Sequence, residues 1–580
     1  MSFVFQIIPR KSDILRLYTL HFYIYTRKYM FNRLLRHSKT LISRENNSIL
    51  SAALVIMGAT LISAFLGVVR TRLLISYFFA DKGLVDVFWA AFRLPDMVFQ
   101  IFIVGALSSA FIPVFTKYHE KEGEKEASQI ASTMINYVVG IMCILVVGII
   151  IWAKPLSHLI AGGFNDSQIE LMTLLTRVMA VAQILFGFSS FLTGIIQSQK
   201  RFLIPAISPI LYNVGIIIGT ILFSKQFGIV GPALGVVLGA ILHLLAQIPL
   251  SRALGFRYSF NFRPHKAVSE MGRLMLPRVL TLSLSQIEAT AIIAFSSWLS
   301  AGSVTIMAIA QQLAGVPVRL IGVPIGQASL PFFSKESAKN NLGSLAGMVN
   351  DTILQMLYLA LPASILILIL RIPLVRLAYG ADSFPWAETV MTGKLVALLA
   401  LSIAARSLTH VVIRVFYALH DTFTPLIISA LSTVINVGLS YYLLFIIQTG
   451  VIGMAAAITT ASILETIILT AFLYNIAHFP IRTTLIPFGR MLLASTIMGF
   501  SLWGPLRLLD RLIFDTTRTI PLILLTLVVT IIGLSVYIGL SYLLKIRELE
   551  IFFGIVKKVG DWKKALTASG ESLESQESSV

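Results

Sequence analysis

Residues 61–117 read LISAFLGVVRTRLLISYFFADKGLVDVFWAAFRLPDMVFQIFIVGALSSAFIPVFTK. Two long apolar segments here hold Arg70, Asp86, Arg93 and Asp96. Segments of this length read as membrane helices, because crossing a hydrocarbon core of about 30 Å takes roughly 20 helical residues. An arginine at the centre of such a helix costs about 2.5–3.5 kcal/mol on insertion scales. A buried set of charges therefore implies a water-filled cavity that holds something polar, and the arginines make an anionic cargo the expectation.

Composition agrees. Hydrophobic residues make up 56% of the 580 residues and charged residues 13%, with a mean hydropathy of +0.85; soluble domains carry about 25% charged residues. Fourteen apolar runs are expected to span, near 49–78, 84–114, 128–152, 168–197, 203–223, 228–250, 268–299, 303–333, 348–370, 386–418, 424–447, 450–475, 488–508 and 519–544. They are continuous rather than alternating, which predicts helices and not a barrel. The fold class is an all-α polytopic membrane protein, and its loops are too short for a separate catalytic domain.

The short loops set the orientation. One side carries Lys117, Lys121 and Lys125, then Lys200 and Arg201, then Arg252, Arg257, Arg263, Lys266 and Arg273, then Lys335 and Lys339, then Arg482 and Arg490. That side is expected to be cytoplasmic, with both termini on it. Arg371, Arg376, Arg507, Arg511 and Arg518 are exceptions on the other side. The net charge of +19 reads as topogenic and as contact with anionic membrane lipids, not as nucleic-acid binding. Residues 1–48 form a basic extension without the pattern of a cleaved signal peptide, and Met30 is an alternative start. The Ser-rich, acidic end of the 549–580 tail is expected to be disordered.

An internal repeat organises the spans. VGALSSAFIPVFTK (104–117) returns as GVPIGQASLPFFSK (322–335), QSQKRFLIPAISPILYNVG (197–215) as YALHDTFTPLIISALSTVINVG (417–438), and FGIVGPALGVVLGAILHLLAQ (227–247) as TGVIGMAAAITTASILETIIL (449–469). Two six-helix bundles, 49–265 and 266–480, are followed by two further helices in 481–548. Parallel repeats of this kind place a substrate site between the bundles and permit alternating access.

Helical spacing picks out the cavity-lining seams, since residues seven apart lie nearly on one face. Asp86, Arg93 and Gln100 form one; Arg278, Thr281, Ser285 and Glu288 another; Thr305, Gln312 and Arg319 a third. Arg72 is expected to snorkel. Arg177, Lys394, Arg406, Arg414 and Glu465 are expected to close interhelical ion pairs. Cys143 is the sole cysteine, so neither a disulfide framework nor a thiol metal site can form. No HExxH, GxSxG or Walker loop occurs, and His410, His420 and Asp421 read as a helix-end cap rather than a catalytic group. No cofactor, metal or catalytic residue is expected.

LGVVRTRLL, VFWAAFRLPDMVFQIF, GALSSAFIPVFTKY, GIIQSQKRFLIPAISPILYN, MGRLMLPRVL, LPFFSK and FYALHDTFTP resemble the bacterial lipid II flippase family (MurJ/MviN) of the MOP exporter superfamily. The resemblance spans about residues 49–545 and implies a transporter of the bacterial cytoplasmic membrane. Its cargo would be the undecaprenyl-pyrophosphate-linked peptidoglycan precursor, moved from inner to outer leaflet beside the cell wall synthesis machinery. It also implies that the last two helices help form a groove for the lipid tail. Carried over by motif, Arg70, Asp86 and Arg93 match charged family positions. The chain departs from the family pattern at Ala64, Asp96, Phe99, Gln100, Val104, Gln311, Gln312 and Gly315, where charge or Asn is usual. Arg278 and Arg319 are expected to restore positive charge. The cargo-binding set is thus Arg70, Asp86, Arg93, Gln100, Arg278, Glu288, Gln312 and Arg319. Another polyprenyl-linked glycan, a cation-coupled small-molecule exporter and a non-transporting membrane scaffold stay open as alternatives.

Overall fold

In a bilayer each backbone amide must be satisfied within the protein, so apolar runs become helices. The computed structural model describes residues 49–104, 111–263, 265–339, 342–477 and 481–552, and helices dominate them. The basic extension, the tail end and part of the first repeated motif lie outside the described residues. The first half contains α1 (Ile49–Phe78), α2 (Lys82–Phe99), α3 (Ile112–Ile151), the short α4 (Ala153–Ile160), α5 (Asp166–Ser198), α6 (Leu203–Ile218) and α7 (Val230–Ala253). The second contains α8 (Lys266–Ser297), α9 (Ser303–Pro317), α10 (Val323–Ala338), α11 (Leu342–Tyr379), α12 (Trp386–Ala400), α13 (Ile403–Ala418), α14 (Phe423–Tyr441) and α15 (Val451–Ala477). The chain then adds α16 (Ile481–Leu512) and α17 (Thr519–Leu543).

Among the described residues, eleven helical spans are long and apolar enough to cross a membrane. They become twelve if α12 and α13, bent by 41° at their junction, are one span. The expected fourteen exceed this count by α2 and α8. The first of these carries Lys82, Asp86, Arg93 and Asp96 within 18 residues, more charge than an apolar span holds.

Packing follows small residues and lipid-facing stripes. A Cβ on Gly215 or Gly219 of α6 and its continuation would collide with the backbone of Gly239 or Gly235 in α7, so these glycines allow two helices to touch backbone to backbone. On α17, Ile520, Leu524, Leu527, Ile531 and Leu534 are exposed, as a helix wall bathed in hydrocarbon requires. Asn165 and Gln168 form a capping box that starts α5, closing orphan amides at a span's entry.

Among the described residues, four π-helical turns mark the repeat. Gln100–Val104 and Val318–Gly322 occupy the same register ahead of the first repeated motif, and Gly219–Phe223 and Tyr442–Ile446 do so after the second. Such turns widen a helix at one point and are frequent at functional sites.

The halves meet through α1 with α11, α2 with α9, and α3 with α8. Most polar ties between them lie at one end, here the Lys82 end. Lys82 pairs with Glu388, Arg72 Nη1 donates to the Leu377 carbonyl at 3.1 Å, and the Ser383 hydroxyl donates to the Ile75 carbonyl at 2.8 Å. At the opposite end, Lys117 meets Glu270 at 2.9 Å, an exposed pair. The halves are therefore drawn together at the Lys82 end.

Candidate functional site

Arg93 is a buried cationic tie between the halves. It projects from α2, is 8% exposed, and reaches α8. Its Nη2 donates to both the backbone carbonyl and the side-chain Oε1 of Gln286 at 2.7 Å, and Nε donates to Thr290 Oγ1 at 3.0 Å. Asp96 Oδ2 stands 3.8 Å from Nη1. Beside the guanidinium lies a cavity of about 270 Å³, lined from both halves by Trp89, Phe92, Asp96, Ile293, Met307 and Gln311 among others.

Asp86, expected on the same cargo-facing seam, has another task. Its Oδ2 accepts the Gly302 amide at 2.7 Å, and its Oδ1 accepts the Thr305 amide at 2.8 Å and hydroxyl at 2.6 Å. These are amides of the α9 N-terminus, where four backbone donors would otherwise lack partners and a negative charge is favoured. Asp86 is a cap supplied from a neighbouring helix, 2% exposed. Gln100, in the π-helical turn, donates back to Asp96 Oδ1 at 3.4 Å. The expected line Asp86–Arg93–Gln100 is thus split between a structural cap and a cavity-side cluster.

The other candidates form two matched contacts. Arg70 Nη1 donates to Asn213 Oδ1 at 3.2 Å in the first half. Glu288 Oε1 accepts from Asn436 Nδ2 at 2.7 Å in the second. In sequence, Arg70 and Glu288 are separated by the same spacing as Val104 and Gly322, and Asn213 and Asn436 are matched in the second repeat. The two pairs are repeat equivalents with opposite charge.

Arg319, in a π-helical turn, donates from Nη2 to the Gln312 carbonyl at 2.9 Å and is exposed. A Cβ on Gly315 would come within 3.1 Å of its Nη1, so Gly315 makes room for the guanidinium. Gln312 contributes its backbone there. Arg278 lies on α8, but its side chain is outside the described residues.

The lesser candidates take the following places. Arg72 Nη1 donates to the Leu377 carbonyl at 3.1 Å. Arg177 Nε bonds the Ile150 carbonyl at 3.0 Å, and Glu465 accepts the Ser429 hydroxyl at 2.6 Å, so hydrogen bonds stand where ion pairs were expected. Asp421 caps α14, accepting from Phe423 and Thr424 amides at 3.0 and 2.9 Å. Partial burial raises its carboxyl, but these bonds outweigh burial and hold it below the usual carboxylate range. Glu122, Glu126 and His265 come close enough to share an ion. However, His265 Nδ1 accepts the Ala267 amide at 3.0 Å, which places a neutral ring's proton on Nε2 and blocks ligation there.

Sequence reading missed Gln286, Thr290, Asn213 and Asn436. The first pair lies beside the chosen α8 seam; the asparagines were visible as matched repeat positions without an assigned partner.

Comparison with known proteins fits this architecture. The model of the lipid II flippase MurJ family matches residues 75–538. A probable lipid II flippase MurJ of Bdellovibrio bacteriovorus is 26% identical over 535 residues, covering 89% of this chain and 98% of that protein. One of Rhizobium meliloti is 27% identical over 485 residues, covering 80% and 88%. A solved lipid II flippase MurJ in an inward closed conformation superposes with a TM-score of 0.69 at 25% identity, covering 83% of this chain and 98% of that one. An inward-facing multidrug resistance MATE transporter of the MOP superfamily shares the fold, with a TM-score of 0.59 at 16% identity and coverage of 70% and 94%. This chain belongs to the lipid II flippase MurJ family.

Proposed function

We propose that this chain carries lipid II from the inner to the outer leaflet of the bacterial cytoplasmic membrane by alternating access. The observation that carries the mechanism is Arg93, a buried cation bonded across the halves and bordering a cavity. The Lys82 end would face outward and the lysine-rich loops and both termini inward. Residues 49–265 and 266–480 would rock as two bundles. With the Lys82 end closed, cargo would enter from the cytoplasmic side.

The cargo's diphosphate is a dianion or near it, and arginine suits it through charge-assisted, bidentate hydrogen bonds. Arg93 would exchange its Gln286 and Thr290 acceptors for phosphate oxygens, loosening the tie between α2 and α8. Arg70 and Arg319 would add positive charge, while Asp86 holds the α9 end. An apolar cavity of about 530 Å³, lined by Ile353, Leu357, Leu408, Ile467, Leu485 and Phe488, would take part of the polyprenyl tail between the second bundle and α16. Moving about two negative charges outward across an inside-negative membrane gains roughly 4–5 kcal/mol per 100 mV. The potential would therefore drive the loaded step.

Rocking requires the Lys82 end to part. In a Cys143→Ser background, Lys82→Cys and Glu388→Cys bridged by a short bis-thiol reagent should stop lipid II movement in liposomes, while the unbridged variant retains it. Equal movement with and without the bridge would reject alternating access through this end.

A further inference from the structure

The Lys82 end holds a second polar cavity, of about 550 Å³, that the cargo route does not use. Its walls come from α1, the end of α11 with the turn into α12, and the turn between α16 and α17. Each wall brings an arginine: Arg72, Arg376 and Arg518. Against three guanidinium groups stands one lining carboxylate, Asp382.

These arginines are incompletely engaged. Arg72 donates to a backbone carbonyl, Arg376 lies 5.5 Å from the centroid of the Trp386 ring, and Arg518 is 3.5 Å from the carboxylate of Asp515. Among the described residues, neither Arg72 nor Arg376 has a carboxylate at ion-pair distance. The N-termini of α12 and α17 also border the cavity, and neither has a side-chain cap. Uncapped amides and partial positive charge at two helix starts add to the guanidinium groups. Ser76, Thr389 and Thr517 supply hydroxyls.

Arg376 and Arg518 also run against the lysine and arginine bias of the loops, which disfavours cations on this side. Their convergence on one cavity gives that departure a chemical reason. Its apolar side is lined by Leu377, Phe384 and Leu522, and Trp386 on its wall and the neighbouring Ile520 are 58% and 71% exposed. An interfacial tryptophan beside arginine is the usual meeting of hydrocarbon edge and headgroup.

We propose that this cavity binds the phosphate of an anionic phospholipid. Its placement in the outer leaflet rests on the orientation proposed above; the binding itself does not. Arg72 belongs to the first half and Arg376 to the second, so a bound phosphate would bridge the halves and favour the form closed at this end.

The test uses the full chain in nanodiscs of phosphatidylglycerol or phosphatidylcholine, with retained lipid counted by native mass spectrometry. Wild type should retain phosphatidylglycerol preferentially. Arg376→Gln/Arg518→Gln should retain it about tenfold less, as loss of charge-assisted bonds implies, whereas Arg376→Lys/Arg518→Lys should keep most of it. Arg252→Gln, at the opposite end, should leave retention at this site unchanged. Equal retention of both lipids, or no effect of the glutamine pair, would overturn the proposal. Arginine-dependent binding of inorganic phosphate without preference between the lipids would overturn the lipid assignment. Lipid II movement measured on the same wild-type sample keeps the readings apart: selective phosphatidylglycerol retention supports this site even where no flipping is seen.

Discussion

The two halves hold the same bond in opposite electrical senses. Arg70 leans on Asn213 in the first, and Glu288 on Asn436 in the second. An asparagine amide has both an acceptor oxygen and donor hydrogens, so one repeated residue serves a cation through Oδ1 and an anion through Nδ2. Duplication kept the partner and changed the charge. The lesson is that repeat symmetry here preserves geometry, while function is written in the positions that break it. Under the proposed function, the first half would offer arginine to an anionic cargo, where the second places a carboxylate at the matching position.

The largest test of this asymmetry is Arg93→Ala. Three donor contacts of a buried cation vanish, and hydrogen bonds to charged groups contribute about 1.5–3 kcal/mol each. Transport in liposomes should fall by more than about a hundredfold, since every 1.36 kcal/mol is tenfold; a fall of only a few fold would place the cargo elsewhere. Arg70→Glu gives the first half the sign of the second. Asn213 Nδ2 already donates to the Ser63 and Pro209 carbonyls at 3.2 Å, so the variant loses only the Arg70 bond and should remain in the membrane while lipid II movement drops about tenfold or more. Retained transport would show that the sign difference between the halves is incidental.

Asp86→Ala tests the cap. It removes the acceptor of two amides and a hydroxyl, and should lower stability by about 1–3 kcal/mol, read as thermal unfolding in detergent. Loss of lipid II affinity without loss of stability would return Asp86 to the cargo set. Asp421→Ala should have the smallest effect, about 1 kcal/mol for a lost cap. Because its carboxyl titrates lower in the folded protein, its contribution is present above the ordinary carboxylate range and fades as the pH drops through the depressed value. The wild-type and variant stabilities should therefore converge in acid.

Much of this was legible from residue order. Apolar runs are long and gap-free, so helices follow from backbone satisfaction alone, and the repeated motifs carry shared Pro, Asn and Gly through otherwise interchangeable aliphatics. The π-helical turns were not legible, because residues such as Ile101 and Leu320 fit α and π geometry alike. Helical spacing selected Arg93 and Glu288, which bond to neighbouring helices, yet it could not separate a cap from a cavity wall. Asp86 and Arg93 are two turns apart on one face, and only the third dimension puts the α9 N-terminus beside the first. Arg70 and Asn213 lie far apart in sequence, so no local pattern joins them.

The most direct measurement is voltage-dependent lipid II movement by the purified chain in liposomes, compared with Arg93→Ala at matched protein density. The account predicts movement that rises with an inside-negative potential in wild type and disappears in the variant. Movement that persists in Arg93→Ala with the same voltage dependence would contradict the central role given to this buried cation.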